Sequence, residues 1–348
     1  MAKEKEKEKE KDVTIYDLAN ELNISVATVS RALKNDPVVS KKTRKKIFEL
    51  AEKRGYRTNP FARNLRSGET KTIAFMVHEL NSTFINSVLS GVEKIVTEAG
   101  YDLIIAHSSE SFAKEAANAK NLFDKRVDGV IASLSFDTKN LDHFKPFFDR
   151  NVPVVFFDRV EKGKGNTVVV IDNYKCGYEA TQHLIEQGCK RIAHITASLS
   201  RNVYSDRYRG YKDALYDNNI EPDESLVFIG DLSEETGADA AKKFLNMSER
   251  PDGAFITNDF VAASFIKKIK EAGLRVPEDV AVVGFNNDAI GHLIEPTLTT
   301  VNYPGIEMGE VAGRTLINHL KGVSDLSKIN TIIINSELII RESSVRKK

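Results

Sequence analysis

Apolar residues follow different spacings near the N-terminus and in the remainder of the chain. Near the N-terminus they recur three or four positions apart, which predicts short helices in "TIYDLANEL", "SVATVSRAL" and "KKTRKKIFELAEKR". Thr14, Ser25 and Ser40 stand where helix N-caps are expected, and Asp17 completes a capping box with Thr14. Gly55 ends the third helix. The spacing therefore predicts a small helix-turn-helix unit with a core of its own.

Beyond residue 71, short Val- and Ile-rich runs alternate with amphipathic stretches. Continuous apolar runs joined by helical crossovers are typical of parallel sheets that are covered on both faces. The clearest runs are "TIAFMV", "DLIIAH", "GVIAS", "VPVVFFD", "TVVVID", "RIAHITA", "LVFIG", "GAFITN" and "VAVVGF". The expected total of about ten or eleven strands is high for one doubly wound sheet. Two linked α/β lobes are therefore predicted.

The composition describes a chain that can fold without a metal or a disulfide. Its 348 residues suggest about two or three compact units, and a hydrophobic content of 41% can supply their cores. Cys176 and Cys189 form no C-x-x-C pair and the seven histidines are scattered, so neither a metal site nor a cofactor is expected. No apolar run approaches a membrane span and no signal peptide is visible, which favours a cytoplasmic protein without a membrane partner.

Charge is unevenly distributed along a chain whose formal net charge is zero. Residues 1–12, "MAKEKEKEKEKD", carry five Lys against five acidic residues, which predicts a disordered, solvated tail. Residues 13–68 carry 12 Lys and Arg against 5 Asp and Glu, a net charge of +7, so the remaining residues must carry −7. A basic head on an acidic body indicates that the head meets a polyanion.

The second predicted helix has an unusual exposed face. Apart from its core positions, it carries small residues and one long cation: Val26, Ala27, Thr28, Ser30 and Arg31. A helix in the major groove brings its backbone close to base edges, which requires short side chains where it touches. Arg31 can pair with guanine, Thr28 can bind a base or a phosphate, and Val26 and Ala27 can contact thymine methyl groups. The alternative is a small protein-interaction module with an incidentally basic third helix.

Helix N-termini and the polar side chains beside them can hold phosphates and set the register on DNA. The candidate phosphate contacts in the head are Thr14, Tyr16, Ser25, Ser40, Thr43 and Arg44.

"VTIYDLANELNISVATVSRALKNDPVVSKKTRKKI" resembles the headpiece of the lactose/galactose repressor (LacI/GalR) family almost throughout, and "GYRTNPFARNLRSGETKTIAFMV" resembles the hinge of that family. The resemblance runs from about Val13 to the C-terminus. It implies that Val26, Ala27 and Arg31 read bases, and that residues 59–66 form a short hinge helix on DNA. A segment this short is unstable as a helix in water, so it should form only when something packs against it.

The candidate DNA contacts in the hinge are Asn59, Arg63, Leu65 and Arg66. Leu65 could insert into a base step from the minor groove. The alternative for Leu65 is an apolar anchor that holds a linker to the body.

Polar side chains follow several predicted strands at their carboxyl ends, where ligands of open α/β sheets bind. Together with Phe84, which could stack on a ring, and a later arginine, they give the candidate effector contacts: His78, Phe84, Ser133, Asp158, Arg207, Asn258 and Asn286. The family resemblance implies this role for all of them except His78 and Ser133. Hydroxyl, amide and carboxylate groups in one crevice suit a sugar or a similar small polar metabolite. A polar residue at the end of a strand is, taken alone, more often a cap or a loop group than a ligand contact.

Asn286, in "GFNND", departs from sugar-sensing relatives, which often have Asp at this position. An amide offers a donor and an acceptor where a carboxylate only accepts. A standard hexose is therefore doubtful as the effector.

The resemblance also implies a periplasmic-binding-protein-like body, with crossings between lobes near residues 171–173, 301–304 and 335–337. The predicted organisation is a tail (1–12), a helix-turn-helix headpiece (13–58), a hinge (59–71) and a body (72–348), whose first lobe spans 72–171 and 304–335 and whose second lobe spans 172–301 and 336–348.

The sequence thus predicts a DNA-binding transcription regulator, expected to be a repressor and not an enzyme, controlled by a small polar effector. A homodimer on a pseudo-palindromic operator in double-stranded DNA is expected, with "FINSVLSGVEKIV" as one candidate dimer surface unless it is core. The C-terminal "NSELIIRESSVRKK" is interpreted as a strand and a charged tail without a leucine heptad, so no tetramer is expected. The alternative is a sugar-processing enzyme or metabolite-binding protein with an added DNA-binding head.

Overall fold

The computed structural model describes residues 13–56, 69–161 and 166–346, in two compact units that divide between Thr70 and Lys71. The first unit contains three helices, α1 (Ile15–Glu21), α2 (Val26–Leu33) and α3 (Lys41–Lys53). Most of the predicted hinge and the whole tail lie outside the described residues.

Each helix of the head begins at a hydroxyl N-cap. Thr14 forms a capping box with Asp17, and the hydroxyl oxygens of Ser25 and Ser40 each accept the backbone N–H three residues later, at 3.1 Å. A small apolar core lies between the helices, formed by Leu18, Ala19, Val29, Ala32, Val39, Ile47 and Ala51. The predicted helix-turn-helix is therefore confirmed.

The first sheet of the body is parallel throughout and has the strand order β11-β5-β4-β3-β1-β2. Numbered in chain order, its strands are β1 (Thr72–Val77), β2 (Asp102–His107), β3 (Gly129–Ala132), β4 (Val154–Phe157), β5 (Thr167–Ile171) and β11 (Thr331–Ile334). Its helices are α4 (Thr83–Glu98), α5 (Phe112–Asp124), α6 (Lys145–Asp149) and α12 (Gly305–Leu320).

The second sheet has the order β12-β10-β9-β8-β6-β7, and its short edge strand β12 is antiparallel to β10. Its strands are β6 (Ile192–Thr196), β7 (Val227–Ile229), β8 (Gly253–Ile256), β9 (Ala281–Asn286), β10 (Thr299–Asn302) and β12 (Leu338–Ile339). Its helices are α7 (Asn173–Glu186), α8 (Asn202–Asp217), α9 (Glu234–Leu245), α10 (Asp259–Glu271) and α11 (Ile290–Leu293). The predicted two-lobed α/β body is confirmed.

The chain changes lobe at three places. It leaves the first sheet after Ile171, returns after Asn302 and crosses again after Ile334. All three crossings lie at the carboxyl ends of strands, so the lobes meet along the edge where parallel-sheet ligands bind.

Helix α4 packs tightly against α12. A Cβ atom added at Gly91 or Gly309 would collide with the backbone of the facing helix, at Ile306 or Val88. The apolar stripe of α4 is buried in this contact and under the first sheet. The segment 84–96 therefore supplies core to its own lobe, and its apolar stripe is not available as a dimer surface.

The C-terminal segment is folded into the second lobe. Ser343 and Ser344 are fully buried, and the Ser343 hydroxyl donates to the Val282 carbonyl at 2.6 Å. The guanidinium of Arg346 donates to the carbonyls of Pro277 and Asp252. The interpretation of this segment as a charged tail is therefore wrong for residues 343–346, because its short hydroxyl side chains satisfy backbone groups of the sheet.

Candidate DNA-binding face and effector cleft

The face of α2 opposite its core is open. Val29 and Ala32 are fully buried, whereas Ala27 and Arg31 are exposed and Val26 is half-buried. The exposed face thus combines short side chains with one guanidinium, as close approach to base edges requires.

The predicted phosphate contacts of the head divide into exposed and engaged groups. Tyr16 is 62% exposed beside the N-terminus of α1. Thr28 and Thr43 share hydrogen bonds of 2.8 Å with the capping hydroxyls of Ser25 and Ser40.

Arg44 has a structural role within the head. Its Nη2 donates to the carbonyls of Asp36 and Val39 at 2.8 and 3.1 Å, which holds the turn before α3. A phosphate contact by Arg44 would have to share this guanidinium. The predicted hinge contacts Asn59, Arg63, Leu65 and Arg66 lie outside the described residues.

Asp158 is the buried centre of the cleft between the lobes. Its Oδ1 accepts the phenol of Tyr303 at 2.6 Å, and its Oδ2 accepts the hydroxyl of Ser133 at 3.4 Å. The Ser133 oxygen also lies 3.3 Å from Nδ1 of His78. Three predicted effector residues, which follow β1, β3 and β4, are thus brought together, and Tyr303 joins them from the second crossing.

Burial controls the charges in this cluster. It raises the pKa of Asp158, although Arg159 and the Tyr303 phenol favour the ionised carboxylate and oppose part of the rise. Burial, helped by the charge of Arg159, lowers the pKa of His78 well below its ordinary value, so this imidazole is neutral at physiological pH. The cleft therefore offers a neutral histidine beside a carboxyl group.

Aromatic rings from both lobes line the cleft. The rings of Phe84 and Tyr303 stack with centroids 4.0 Å apart, and the guanidinium carbon of Arg207 lies 3.5 Å from the centroid of Phe285. Arg207 also donates from Nε to Oδ1 of Asn173 at 2.8 Å. Its cation is thereby fixed in position by an aromatic face and an amide.

The two predicted asparagines differ in what their amides do. Asn258 caps α10, because its Oδ1 accepts the N–H groups of Phe260 and Val261. Asn286 ends β9 with a positive φ of 116° and donates from Nδ2 to Asp288 at 3.2 Å. Asn258 therefore has mainly its Nδ2 group to offer an effector, whereas Asn286 keeps its Oδ1.

Several residues that close the cleft were not identified from the sequence. Asn202, at the start of α8, donates to the Asp158 carbonyl at 3.0 Å and accepts the N–H of Val160 at 2.8 Å. Arg159 donates to Glu110 at 2.6 Å and to the phenol of Tyr204 at 3.1 Å. The Asp-Arg pair that follows β4 is the one sequence signal that could have pointed to them.

Neither metal binding nor membrane insertion is indicated in the described part of the chain. Within residues 13–56, 69–161 and 166–346, no group of three or more His, Cys, Asp or Glu side chains could hold a metal ion. Over the same residues, no helix has both the length and the apolar character that a membrane span needs. A cavity of about 730 Å³ lies away from the cleft, beside α10 and α11, and includes Phe260, Ile266 and Ile290.

Family models match both parts of the chain. Residues 14–59 match the model of bacterial regulatory proteins of the lacI family, and residues 181–344 match a periplasmic binding protein-like domain. A helix-turn-helix joined to a two-lobed binding body defines a DNA-binding transcription regulator.

Relatives of nearly the same length support this class. Catabolite control protein A of Priestia megaterium is 33% identical over 89% of this chain and 93% of its own. The HTH-type transcriptional repressor PurR of Vibrio atlanticus is 30% identical over 88% of this chain and 92% of its own. The protein therefore belongs to the lacI family of bacterial transcription regulators.

Solved structures share the fold. The transcriptional regulator CelR in complex with cellobiose has a TM-score of 0.72 and 29% identity, over 95% of this chain and 99% of that one. The lac repressor dimer bound to operator and the anti-inducer ONPF has a TM-score of 0.85 over 97% of this chain and 100% of that one, at 23% identity.

Proposed function

We propose that this regulator is a repressor that binds a pseudo-palindromic operator as a homodimer, with α2 of each head in the major groove. The observation that carries the proposal is the exposed face of α2, on which Ala27 and Arg31 stand clear of the core. Arg31 donates to guanine, Val26 and Ala27 contact thymine methyl groups, and Thr28 binds a base or a phosphate. Tyr16 and the N-termini of the helices at Thr14, Ser25 and Ser40 hold phosphates, together with Thr43 and Arg44.

The cleft of the body binds a small polar effector, a sugar or a related metabolite. Asp158 and Arg207 supply opposite charges, Phe84 supplies an aromatic face, and Asn258 and Asn286 supply amides. The transcriptional regulator CelR, which shares the fold, is solved as a complex with cellobiose, and this supports a small-molecule ligand for the present protein. Effector binding changes the arrangement of the lobes and thereby the affinity for DNA.

A thermal-shift screen of the full-length protein against sugars, sugar phosphates and nucleobases tests the effector proposal. A ligand of the folded body raises the apparent melting temperature by mass action, and it should do so less in an Arg207→Ala variant. A ligand that stabilises both proteins equally binds elsewhere, and this result would contradict the cleft assignment.

The cleft binds its ligand without converting it. Both carboxylate oxygens of Asp158 are engaged by hydroxyl donors, so its arrangement suits recognition. Chromatography of any stabilising sugar after prolonged incubation with pure protein tests this: an intact sugar is expected, and a product would support the enzyme alternative.

A further inference from the structure

Asn286 is connected to the opposite lobe through one side chain. Its Nδ2 donates to Oδ2 of Asp288 at 3.2 Å, and Oδ1 of Asp288 accepts the hydroxyl of Thr83. Thr83 is the first residue of α4 in the first lobe, whereas Asp288 follows β9 in the second lobe. Asp288 is only 7% exposed, so this contact between lobes is largely shielded from water.

The backbone holds Asp288 in place. Its N–H donates to Oδ2 of Asp259 at 2.7 Å, and its carbonyl accepts the N–H of Gly291 at 3.0 Å. Asp259 is itself fixed, because its Oδ1 accepts the Thr300 hydroxyl at 2.7 Å. The carboxylate of Asp288 therefore has a set position from which it can orient its two partners.

The position of Asp288 explains why an amide suits residue 286. Both carboxylate oxygens of Asp288 accept hydrogen bonds, Oδ1 from Thr83 and Oδ2 from Asn286, so Asn286 turns its NH₂ group toward Asp288 and directs its Oδ1 away from it. A carboxylate at position 286 would bring two acceptors together across the 3.2 Å that the hydrogen bond now spans. The two like charges would repel, and the contact with Thr83 would be lost.

We propose that Thr83, Asp288 and Asn286 form a relay that couples closure of the lobes to the orientation of the Asn286 amide. The relay rests on the effector cleft proposed above, in which this amide reads the ligand. Closing the lobes brings Thr83 to Asp288, Asp288 then fixes the amide, and a ligand that binds the fixed amide favours the closed lobes. Thr83 and Asp288 are positioning residues in this scheme.

Hydrogen–deuterium exchange on the full-length protein without added ligand tests the relay. Asn286→Asp should raise exchange in residues 84–88 of the opposite lobe by about tenfold, because repulsion at Asp288 releases Thr83. Thr83→Val should raise exchange in residues 286–291 to a similar extent. Thr83→Ser, which keeps the hydroxyl, should show wild-type exchange. The double variant Thr83→Val with Asp288→Ala should exchange little faster than either single variant, because both changes break the same contact.

Thr297→Val is the matched control. In the wild type, the Thr297 hydroxyl also donates to a carboxylate, that of Glu342 at 3.0 Å, but this contact lies within the second lobe. The control variant should leave exchange in residues 84–88 unchanged. Wild-type exchange of residues 84–88 in Asn286→Asp would overturn the relay. Equal exchange of residues 286–291 in Thr83→Ser and Thr83→Val would also overturn it. Since no ligand is added, these outcomes are independent of the thermal-shift screen, whose failure would count against the effector cleft alone.

Discussion

The phenol of Tyr303 donates to Oδ1 of Asp158 over 2.6 Å, and this bond joins the second crossing to the carboxyl end of β4. Both side chains are nearly inaccessible to water. Because burial raises the pKa of Asp158, its ionised form is disfavoured in the folded protein, and this group contributes less stability as the pH rises above its ordinary pKa. The Tyr303 bond offsets part of that loss, since it favours the ionised carboxylate.

Tyr303→Phe should therefore destabilise the protein more at neutral pH than at acid pH. The ring and its stacking on Phe84 remain, so the expected loss at pH 7.5 is that of one buried hydrogen bond, about 1–3 kcal/mol. Urea unfolding at pH 5 and pH 7.5 measures the difference. Tyr211→Phe is the control, because the Tyr211 phenol donates to the neutral carbonyl of Ile192 at 2.8 Å and its loss should not depend on pH.

Arg31→Ala should weaken operator binding by about 1–3 kcal/mol and relax the preference for one guanine in each half-site. An operator first has to be selected from random DNA with the wild-type protein. Titrations on that operator and on scrambled DNA then compare Arg31→Ala with Lys34→Ala, a change to an exposed cation at the end of the same helix. Equal losses on both DNAs would make Arg31 a phosphate contact.

Arg207→Ala should abolish the effector response and leave DNA binding by the free protein largely intact. The substitution removes the cation above Phe285 and leaves Oδ1 of Asn173 without its donor. Arg209→Ala, on the same helix but paired with Asp206 at the surface, should respond as the wild type does. The measurement is operator affinity with and without the ligand found by thermal shift. A wild-type response in Arg207→Ala would remove Arg207 from the cleft.

Asp259→Asn should flatten the pH dependence of stability. Burial raises the pKa of Asp259 to about 7, so the wild-type protein loses stability from this group between its ordinary pKa and pH 7. Between pH 5 and pH 8.5, the free energy of unfolding of the variant should rise by about 1–3 kcal/mol relative to that of the wild type. Asp288, whose charge acts on the carboxyl group of Asp259, is unchanged in the variant. Asp279→Asn is the control, because its ion pair with Arg275 lowers the pKa of Asp279 to about 2 and no titration falls within this range.

Light scattering on the full-length protein at micromolar concentration should give a mass near two chains. One head reads too few base pairs to select a site among the roughly 10⁶ or more competing sites of a genome, so two heads on a pseudo-palindrome are required. A monomer that still bound operator tightly would contradict this reasoning, and so would a mass near four chains.

Most strands were predictable from continuous Val and Ile, although strand β11 carries three consecutive Ile and was not among the quoted runs. Each of the runs quoted from the sequence contains a strand, because β-branched residues favour the extended conformation of a sheet. Strand β10 gives no such signal, since Thr299 and Thr300 hide their hydroxyl groups in hydrogen bonds to Arg341 and Asp259. Strand β12 has only two residues, too few for any periodicity.

The sequence predicted those site residues whose position depends on the end of a single strand. The rule that ligands lie at the carboxyl ends of strands identified His78, Ser133 and Asp158, which the structure brings together. It could not identify Tyr303 or the bond between Thr83 and Asp288, because these depend on how the lobes meet. Nor can a sequence separate a cap from a ligand contact, as the amide of Asn258 illustrates.

The three crossings determine when each lobe can complete its folding during synthesis. The first lobe needs α12 and β11, and the second lobe needs β12 and the buried serines at 343 and 344, so both remain incomplete until the last part of the chain has been made. Domains that are contiguous in sequence can fold one after another on the ribosome, with the N-terminal one first. In this protein the small head has that option and the two lobes do not, and a ribosome that stalls near residue 300 leaves two unfinished sheets with open edges.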